Sequence, residues 1–184
     1  NGEMLFQEKR YSEAMTVCSE AEQMARQLDD QFCLGKIYRI MAHISNAAYR
    51  YQDEIQYLKM ASDAFHNAEK PYNRLYVDME KGMAYYNVSD YASAEKVYRD
   101  VLYRAYEVSD TALQAQCLSA YAALSLEVSR PDPSLAIDML SRVANDLKYP
   151  LSSADRGVLA YAYSLSGNDD EALKWAEKAV STAQ

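Results

Sequence analysis

The sequence of 184 residues contains few helix-interrupting residues, with 5 Gly and 4 Pro. It also lacks any apolar run of about 18 residues, so we expect no helix that spans a membrane. Lys and Arg number 19 against 27 Asp and Glu, which gives a formal net charge of −8. Nucleic-acid and anionic-membrane surfaces need an excess of basic residues. We therefore expect this region to contact neither directly.

Residues suited to catalysis or metal binding are scarce as well. Cys18, Cys33 and Cys117 form no CxxC pair, which argues against a zinc or thioredoxin-like site. Their odd number favours reduced thiols and a cytoplasmic location, whereas a signal peptide in the full-length protein would make the location periplasmic. His43 and His66 have no second ligand at metal-binding spacing, and no GxSxG, P-loop or HExxH motif occurs. We predict no enzymatic activity, no metal site and no cofactor.

The residues that are abundant favour helices. Hydrophobic residues make up 49% of the sequence, enough for a core, and no stretch alternates at the period of a β-strand. The 17 Tyr residues combine apolar bulk with a polar tip, which suits positions between helices or along a groove. We predict an all-α chain of about ten helices.

Small residues recur at a nearly constant interval along the sequence. They are Gly2, Ala42, Gly82, Ala122 and Ala160, at spacings of 40, 40, 40 and 38 residues. In the clearest example, Gly82 is followed nine residues later by Tyr91 and then by Ala94. A steady period in this range indicates helix pairs stacked as a solenoid.

These spacings divide the sequence into five helix pairs within one solenoid domain. The units lie at about residues 1–28, 31–69, 71–108, 109–147 and 151–184. Residues 1–10 are predicted to end one helix and Tyr11 to begin the next, so the first unit is truncated and we expect a fragment of a longer protein. Gly167 is predicted to cap the end of a helix.

The last unit carries the clearest family resemblance. Residues 160–163 and 167–179 resemble the tetratricopeptide repeat family, although the period exceeds the usual length of about 34 residues. Glu54 and Pro133 depart from the family pattern in the second and fourth units. The resemblance implies a right-handed α–α superhelix whose first helices line a concave, peptide-binding face. It further implies a sensing or interaction module of a larger bacterial signalling or transcription-regulating protein.

Positions six and three residues before each small residue, and one and four after it, share one helix face. We predict that this face lines a groove for a protein or peptide ligand. Its candidate residues are Lys36, Arg39, His43, Asn46, Tyr76, Met79, Met83, Tyr86, Gln116, Ser119 and Tyr161. A basic end near Lys36 and Arg39 and an aromatic, Met-containing centre suit an extended peptide with a carboxylate and apolar side chains.

Several alternatives remain open at this point. The basic stripe can instead be ordinary solvated surface. Met79 and Met83 can belong to the core, since Asp78 and Lys81 fall where this register expects apolar residues. The chain can also form homo-oligomers through the unpaired helix face left by the truncated first unit, or through Trp175, Ala179 and Val180 at the other end. A small-molecule pocket is a further alternative and would require a closed cavity.

Overall fold

The structure is a computed structural model that describes residues 2–181 and the side chains of residues 10–181. Within these residues it contains nine α-helices and one π-helical turn, and no β-strand. The prediction of an all-α fold built from consecutive helix pairs is therefore confirmed. Two compact units meet in the sequence between Asp90 and Tyr91, and each is described separately below.

Unit 1 consists of four helices. They are α1 (Gly2–Gln27), α2 (Gln31–Ala47), α3 (Tyr51–Asn67) and α4 (Pro71–Asn87). Each packs against the next along the chain. Unit 2 consists of five helices and the π turn. They are α5 (Tyr91–Glu107), α6 (Thr111–Glu127), α7 (Pro133–Ser141), the π turn (Arg142–Asp146), α8 (Ser153–Leu165) and α9 (Asp169–Ser181).

Helices α2 to α6 repeat with a constant step. Each has 17 residues. Their first residues are numbered 31, 51, 71, 91 and 111, a step of 20. Two such steps account for the 40-residue spacing of the small residues. Of those residues, Ala42, Gly82 and Ala122 are buried, whereas Ala160 is half-buried and the surroundings of Gly2 lie outside the described side chains.

The turns between these helices share one backbone geometry. A single residue adopts positive φ at the same place in each turn: Asp29, Tyr49, Glu69, Ser89 and Ser109. The amide of the next residue then bonds to the carbonyl five positions earlier, as in Asp30 N to Ala25 O at 2.9 Å. Both features define the Schellman motif, which satisfies carbonyls left unpaired at a helix end. Gly167 has φ 74° in the same motif after α8, so its predicted capping role is confirmed.

Helix α1 differs from the prediction. It is one continuous helix of 26 residues, so the predicted break before Tyr11 is wrong. The sequence has no Gly or Pro between Glu3 and Gln27 that would end a helix there. The prediction relied on the spacing pattern of the later units, where Tyr91 does begin a helix, and the pattern alone does not create a turn.

The core of unit 1 lies between α2, α3 and α4. Ala42, Leu58 and Ala61 are fully buried, and Phe65 is almost so. The backbone at Gly35 lies close to α3, so a Cβ atom there would lie 2.7 Å from Cδ1 of Phe65. The sequence predicted the close approach between helices of this unit at Ala42 and gave no prediction for Gly35.

The core of unit 2 lies between α6, α7 and α8. Leu118, Ala136, Leu140 and Ala162 are fully buried there. The longer connection before α7 ends at Asp132, whose side chain accepts a hydrogen bond from the Leu135 amide at 3.0 Å. None of the residues of α9 is fully buried. Within residues 2–181, no helix has both the length and the apolar character of a membrane span.

Candidate functional site

The candidate site in unit 1 centres on an ion pair between α2 and α4. Arg39 Nε donates hydrogen bonds to both carboxylate oxygens of Glu80 at 3.0 Å, and Nη2 reaches Oε1 at 2.5 Å. His43 Nε2, one turn further along α2, lies 3.3 Å from Glu80 Oε2. The hydrogen bond to Glu80 raises the pKa of Arg39 above its ordinary value. The first helices of two consecutive pairs are thereby joined side by side.

This ion pair changes the meaning of the predicted basic stripe. The sequence predicted a ligand carboxylate near Lys36 and Arg39. In the structure, the carboxylate of Glu80 already pairs with Arg39. Lys36 remains exposed, with Nζ 4.3 Å from the centre of the Phe32 ring. An incoming anion would therefore meet one exposed lysine and a neutralised arginine.

Asn46 is directed towards the interior of the unit. Its Nδ2 donates to Glu54 Oε2 at 2.9 Å, which links α2 to α3. Glu54 is buried, and this burial raises its pKa, while the hydrogen bond from Asn46 and the charge of His43 act in the opposite direction. The residue that departs from the repeat pattern is thus the acceptor in a hydrogen bond between helices. Asn46 thus contributes a polar contact between two helices.

The exposed residues of α2 and α4 form two neighbouring stripes. On α2 the exposed positions are Lys36, Ile40, His43 and Ala47. On α4 the exposed positions after Pro71 are Tyr72, Met83 and Asn87, with Tyr76 half-buried between them. At about 100° per residue, each set lies on one side of its helix. Arg39 and Glu80 lie at the edges of these stripes and connect them. We call this surface the α2–α4 face.

Apolar side chains are prominent on the α2–α4 face. Ile40 is 51% exposed and Met83 is 43% exposed. The rings of Tyr72 and Tyr76 lie 5.3 Å apart, inclined at 50°. Met79 is fully buried and therefore belongs to the core. Tyr86 is half-buried. Ile40 and Tyr72 were not among the predicted residues. Ile40 lies one position after Arg39, and Tyr72 lies one turn before Tyr76.

The remaining candidates lie in unit 2. Gln116 is exposed and Ser119 half-buried on α6, whereas Tyr161 on α8 is half exposed. Gly157, one turn before Tyr161, has no atom within 4 Å of the place where its Cβ would be. The surface of α8 around Gly157 is therefore open.

Buried polar contacts between helices were not predicted from the sequence. Asp78 is buried and accepts hydrogen bonds from Ser62 at 2.8 Å and Lys81 at 2.7 Å. This explains why an acidic residue occupies a position at which the repeat register expects an apolar one. Tyr38 and Tyr121 similarly donate to Glu22 and Glu95 of the preceding helix, both at 2.9 Å.

The side chains of the α2–α4 face set the kinds of contact that it can make. Among the described residues, no group of three or more His, Cys, Asp or Glu side chains is arranged to hold a metal ion. The α2–α4 face presents one exposed cation, a neutralised Arg–Glu pair, and aliphatic, thioether and phenol side chains. These groups can provide hydrogen bonds and apolar contact to a partner.

The repeated helix pairs define the chain as an all-α helical-repeat protein. Among solved structures, it is similar to the crystal structure of BtubC (BKLC) from P. vanneervenii, with a TM-score of 0.80 and 18% sequence identity. The similarity covers 94% of this chain and 72% of that chain, and at this identity it shows a shared fold. No protein-family model and no curated protein sequence matches the chain.

Proposed function

We propose that the chain is a repeat scaffold of the tetratricopeptide type that binds a peptide or protein segment on the α2–α4 face. The observation that carries this proposal is the Arg39–Glu80 ion pair, which joins two first helices and leaves Ile40 and Met83 exposed beside it. Two helices aligned in this way provide a shallow surface between their exposed stripes.

The composition of the face supports binding of a protein segment. Tyr, Met and Arg are enriched in protein interfaces, where a few large side chains contribute most of the binding energy. The Tyr72–Tyr76 pair and Met83 are such side chains, and they lie next to the polar pair that can accept and donate hydrogen bonds. Arg39 has its charge compensated by Glu80, so specificity on this face comes mainly from apolar contact and geometry.

The resemblance to the tetratricopeptide family extends the proposal to the parent protein. The resemblance implies a sensing or interaction module of a larger bacterial signalling or transcription-regulating protein. We propose the same kind of role here, with the partner recognised through the α2–α4 face. The helical-repeat fold and the length of the repeat support this extension.

Selection of peptides against the purified chain tests the proposal. A displayed library of random peptides would be selected on the wild type, and the recovered peptides titrated by fluorescence anisotropy. The double variant Ile40→Glu/Met83→Glu should bind them at least about tenfold more weakly, because charges replace two apolar contacts. The matched control is Val17→Glu, which alters an apolar residue of α1 that is exposed to 64%.

Two results would count against a binding role for this face. One is recovery of peptides that bind the double variant as tightly as the wild type. The other is failure to recover any peptide above the background of the empty support. Circular dichroism spectra of all variants would show whether their helix content is retained.

A second candidate function is self-association through α9. Leu173 and Val180 are seven residues apart on this helix and are exposed to 63% and 72%. Trp175 and Ala179, which sequence analysis placed in the same interface, are half-buried. Sedimentation velocity over a hundredfold dilution series, roughly the range that distinguishes weak from stable dimers, separates the two functions. Self-association predicts a concentration-dependent dimer that Leu173→Glu/Val180→Glu abolishes, whereas a strict monomer rejects it.

A further inference from the structure

Unit 2 contains a cleft where the end of α7 and the chain that follows it meet α8 and α9. Its volume is about 570 Å³, and it is open to solvent. The side chains that matter most for its chemistry are Lys148, Tyr149, Leu151, Arg156, Trp175 and Lys178. All of them belong to unit 2, so the cleft is separate from the α2–α4 face.

The charge of the cleft is opposite to that of the chain. Lys148, Arg156 and Lys178 line it and no Asp or Glu side chain does, although Glu171 of α9, outside the lining, interacts electrostatically with Lys178. The whole sequence has 27 acidic and 19 basic residues, so a surface with three cations and no lining carboxylate is a local reversal. Such a concentration of positive charge in a concave site attracts anionic groups.

An unusual backbone shapes one wall of the cleft. Helix α7 passes into the π turn, in which the Leu147 amide bonds to Arg142 O at 3.0 Å. Lys148 then has a φ of 51°, and the Tyr149 amide bonds back to Val143 O at 3.0 Å. π turns often occur at functional sites, and left-handed backbone at a residue other than Gly is strained. This reversal brings Lys148 and Tyr149 to the edge of the cleft.

The opposite wall is held by contacts between α8 and α9. Arg156 Nη1 donates to Lys178 O at 3.0 Å, and Ser153 Oγ donates to Ala179 O at 2.6 Å. The ammonium group of Lys178 lies 4.2 Å from the centre of the Trp175 ring. An ammonium in this position is attracted by the face of an indole. The cation and the aromatic surface are thus presented together from one helix.

We propose that this cleft is a second binding site, for an acidic peptide segment. Carboxylates of the segment would pair with Lys148 and Lys178, and an apolar side chain between them would contact Leu151 and Trp175. The mixture of cationic and apolar lining favours a peptide over a nucleic acid, which would need a longer basic surface on a chain of net charge −8. This inference does not depend on the proposed function of the α2–α4 face.

The cations also have a structural alternative. Lys148 and Lys178 lie near the carboxyl ends of helical segments, where positive charge is favourable without any ligand. In that case, removing the charges would lower the free energy of unfolding. The wild type would then either not bind the peptide or bind it no more tightly than the variant does. The experiment therefore measures affinity and unfolding on the same variants.

Trp175 provides a direct signal, because it is the one Trp in the sequence. The probe is a capped hexapeptide of alternating Glu and Leu, titrated while Trp175 fluorescence is recorded. We expect a saturable change whose midpoint moves to higher peptide concentration as NaCl is raised from about 50 to about 500 mM. The same peptide with Gln in place of Glu should bind at least about tenfold more weakly.

The variant Lys148→Glu/Lys178→Glu should weaken binding of the Glu–Leu peptide by at least about tenfold. The backbone carbonyl of residue 178, which accepts from Arg156, is retained in this variant. Affinity is read from the midpoint, since loss of the Lys178 contact alters the amplitude of Trp175 fluorescence. The matched control, Lys96→Glu, changes an exposed lysine of α5 outside the cleft and should bind normally.

Four results would overturn the inference. They are no saturable response of the wild type to the Glu–Leu peptide, equal binding of the Gln–Leu peptide, wild-type affinity in Lys148→Glu/Lys178→Glu, and tighter binding of a short oligodeoxythymidine. The variants at Ile40 and Met83 lie in unit 1 and those at Lys148 and Lys178 in unit 2. Failure at either site is therefore distinguishable from failure at the other.

Discussion

Arg39 on α2 and Glu80 on α4 are 41 residues apart in the sequence, yet Arg39 Nε lies 3.0 Å from both carboxylate oxygens of Glu80. The pair neutralises the residue that the sequence offered as an anion-binding group. It also fixes the lateral alignment of two first helices in unit 1. Its strength can be measured, and three other features of the fold lead to equally specific expectations.

A double-mutant cycle on Arg39→Gln and Glu80→Gln should give a coupling free energy of about 0.5–1 kcal/mol, measured by urea unfolding. The side chains are 42% and 25% exposed, so solvent screens the pair, but its two-pronged geometry places it in the upper part of the range for surface pairs. The coupling should fall as salt is raised. The more exposed Arg99–Glu95 pair, at 3.6 Å, should couple less strongly. If the effects of the two single substitutions on the unfolding free energy simply added in the double variant, the Arg39–Glu80 contact would contribute nothing to stability.

Gly35→Ala and Gly157→Ala should change stability in opposite directions. A Cβ at Gly35 would lie 2.7 Å from the buried ring of Phe65, so we expect a loss of about 1–3 kcal/mol in unfolding free energy. A Cβ at Gly157 meets open space in the middle of α8, so we expect a gain of about 0.5–1 kcal/mol from helix propensity. Thermal and urea unfolding followed by circular dichroism give both values. A stabilised Gly35→Ala variant would contradict the close approach.

The left-handed residues after the helices give a third expectation. Ser89 has a φ of 60° and Ser109 a φ of 55°, and both are exposed. Replacing either with Gly should raise the unfolding free energy by about 0.5–1 kcal/mol, because Gly adopts this conformation without steric cost. Gly167→Ala should lower it for the same reason.

Ser129→Gly is the matched control for these substitutions. Ser129 is exposed in the loop before α7 and lies outside the left-handed region, so its replacement should give no gain in stability. If Ser129→Gly stabilised the chain as much as Ser89→Gly, the benefit would not come from the Schellman geometry.

Glu54→Gln should make stability less sensitive to pH. Burial raises the pKa of Glu54 in the folded chain, so its favourable contribution is present at low pH and is lost as the pH rises through the folded value. The variant should be more stable than the wild type at pH 7, and the difference should vanish as the pH falls towards about 4. Gln retains an acceptor for Asn46. Urea unfolding at several pH values measures the effect, and a variant less stable at pH 7 would contradict it.

The sequence predicted the all-α fold and the repeat because both depend on local patterns. Apolar residues at the spacing of a helix face, and small residues at a nearly constant interval, fix where helices form and how often they recur. The residues around Gly167 likewise contain enough information to place a helix end. In α1, the absence of any helix breaker carried more weight than the analogy with later units.

The candidate site was only partly predictable. Lys36 and His43 are exposed, and of the two Met residues that the sequence left open, Met83 is exposed whereas Met79 is in the core. Asn46 bonds to Glu54. A helix turns by about 100° at each residue, so a small rotation exchanges exposed positions for buried ones. That rotation is set by packing against neighbouring helices, which one helix does not specify.

The sequence by itself determined the helices, their 40-residue period and the acidic character of the chain. The tertiary structure decided which charged side chains are available to bind a ligand. It brought Glu80 onto Arg39, and it gathered Lys148, Arg156 and Lys178 around one cleft. The physical reason is that charges interact through space over a few ångströms, and only the folded chain sets distances between residues far apart in sequence.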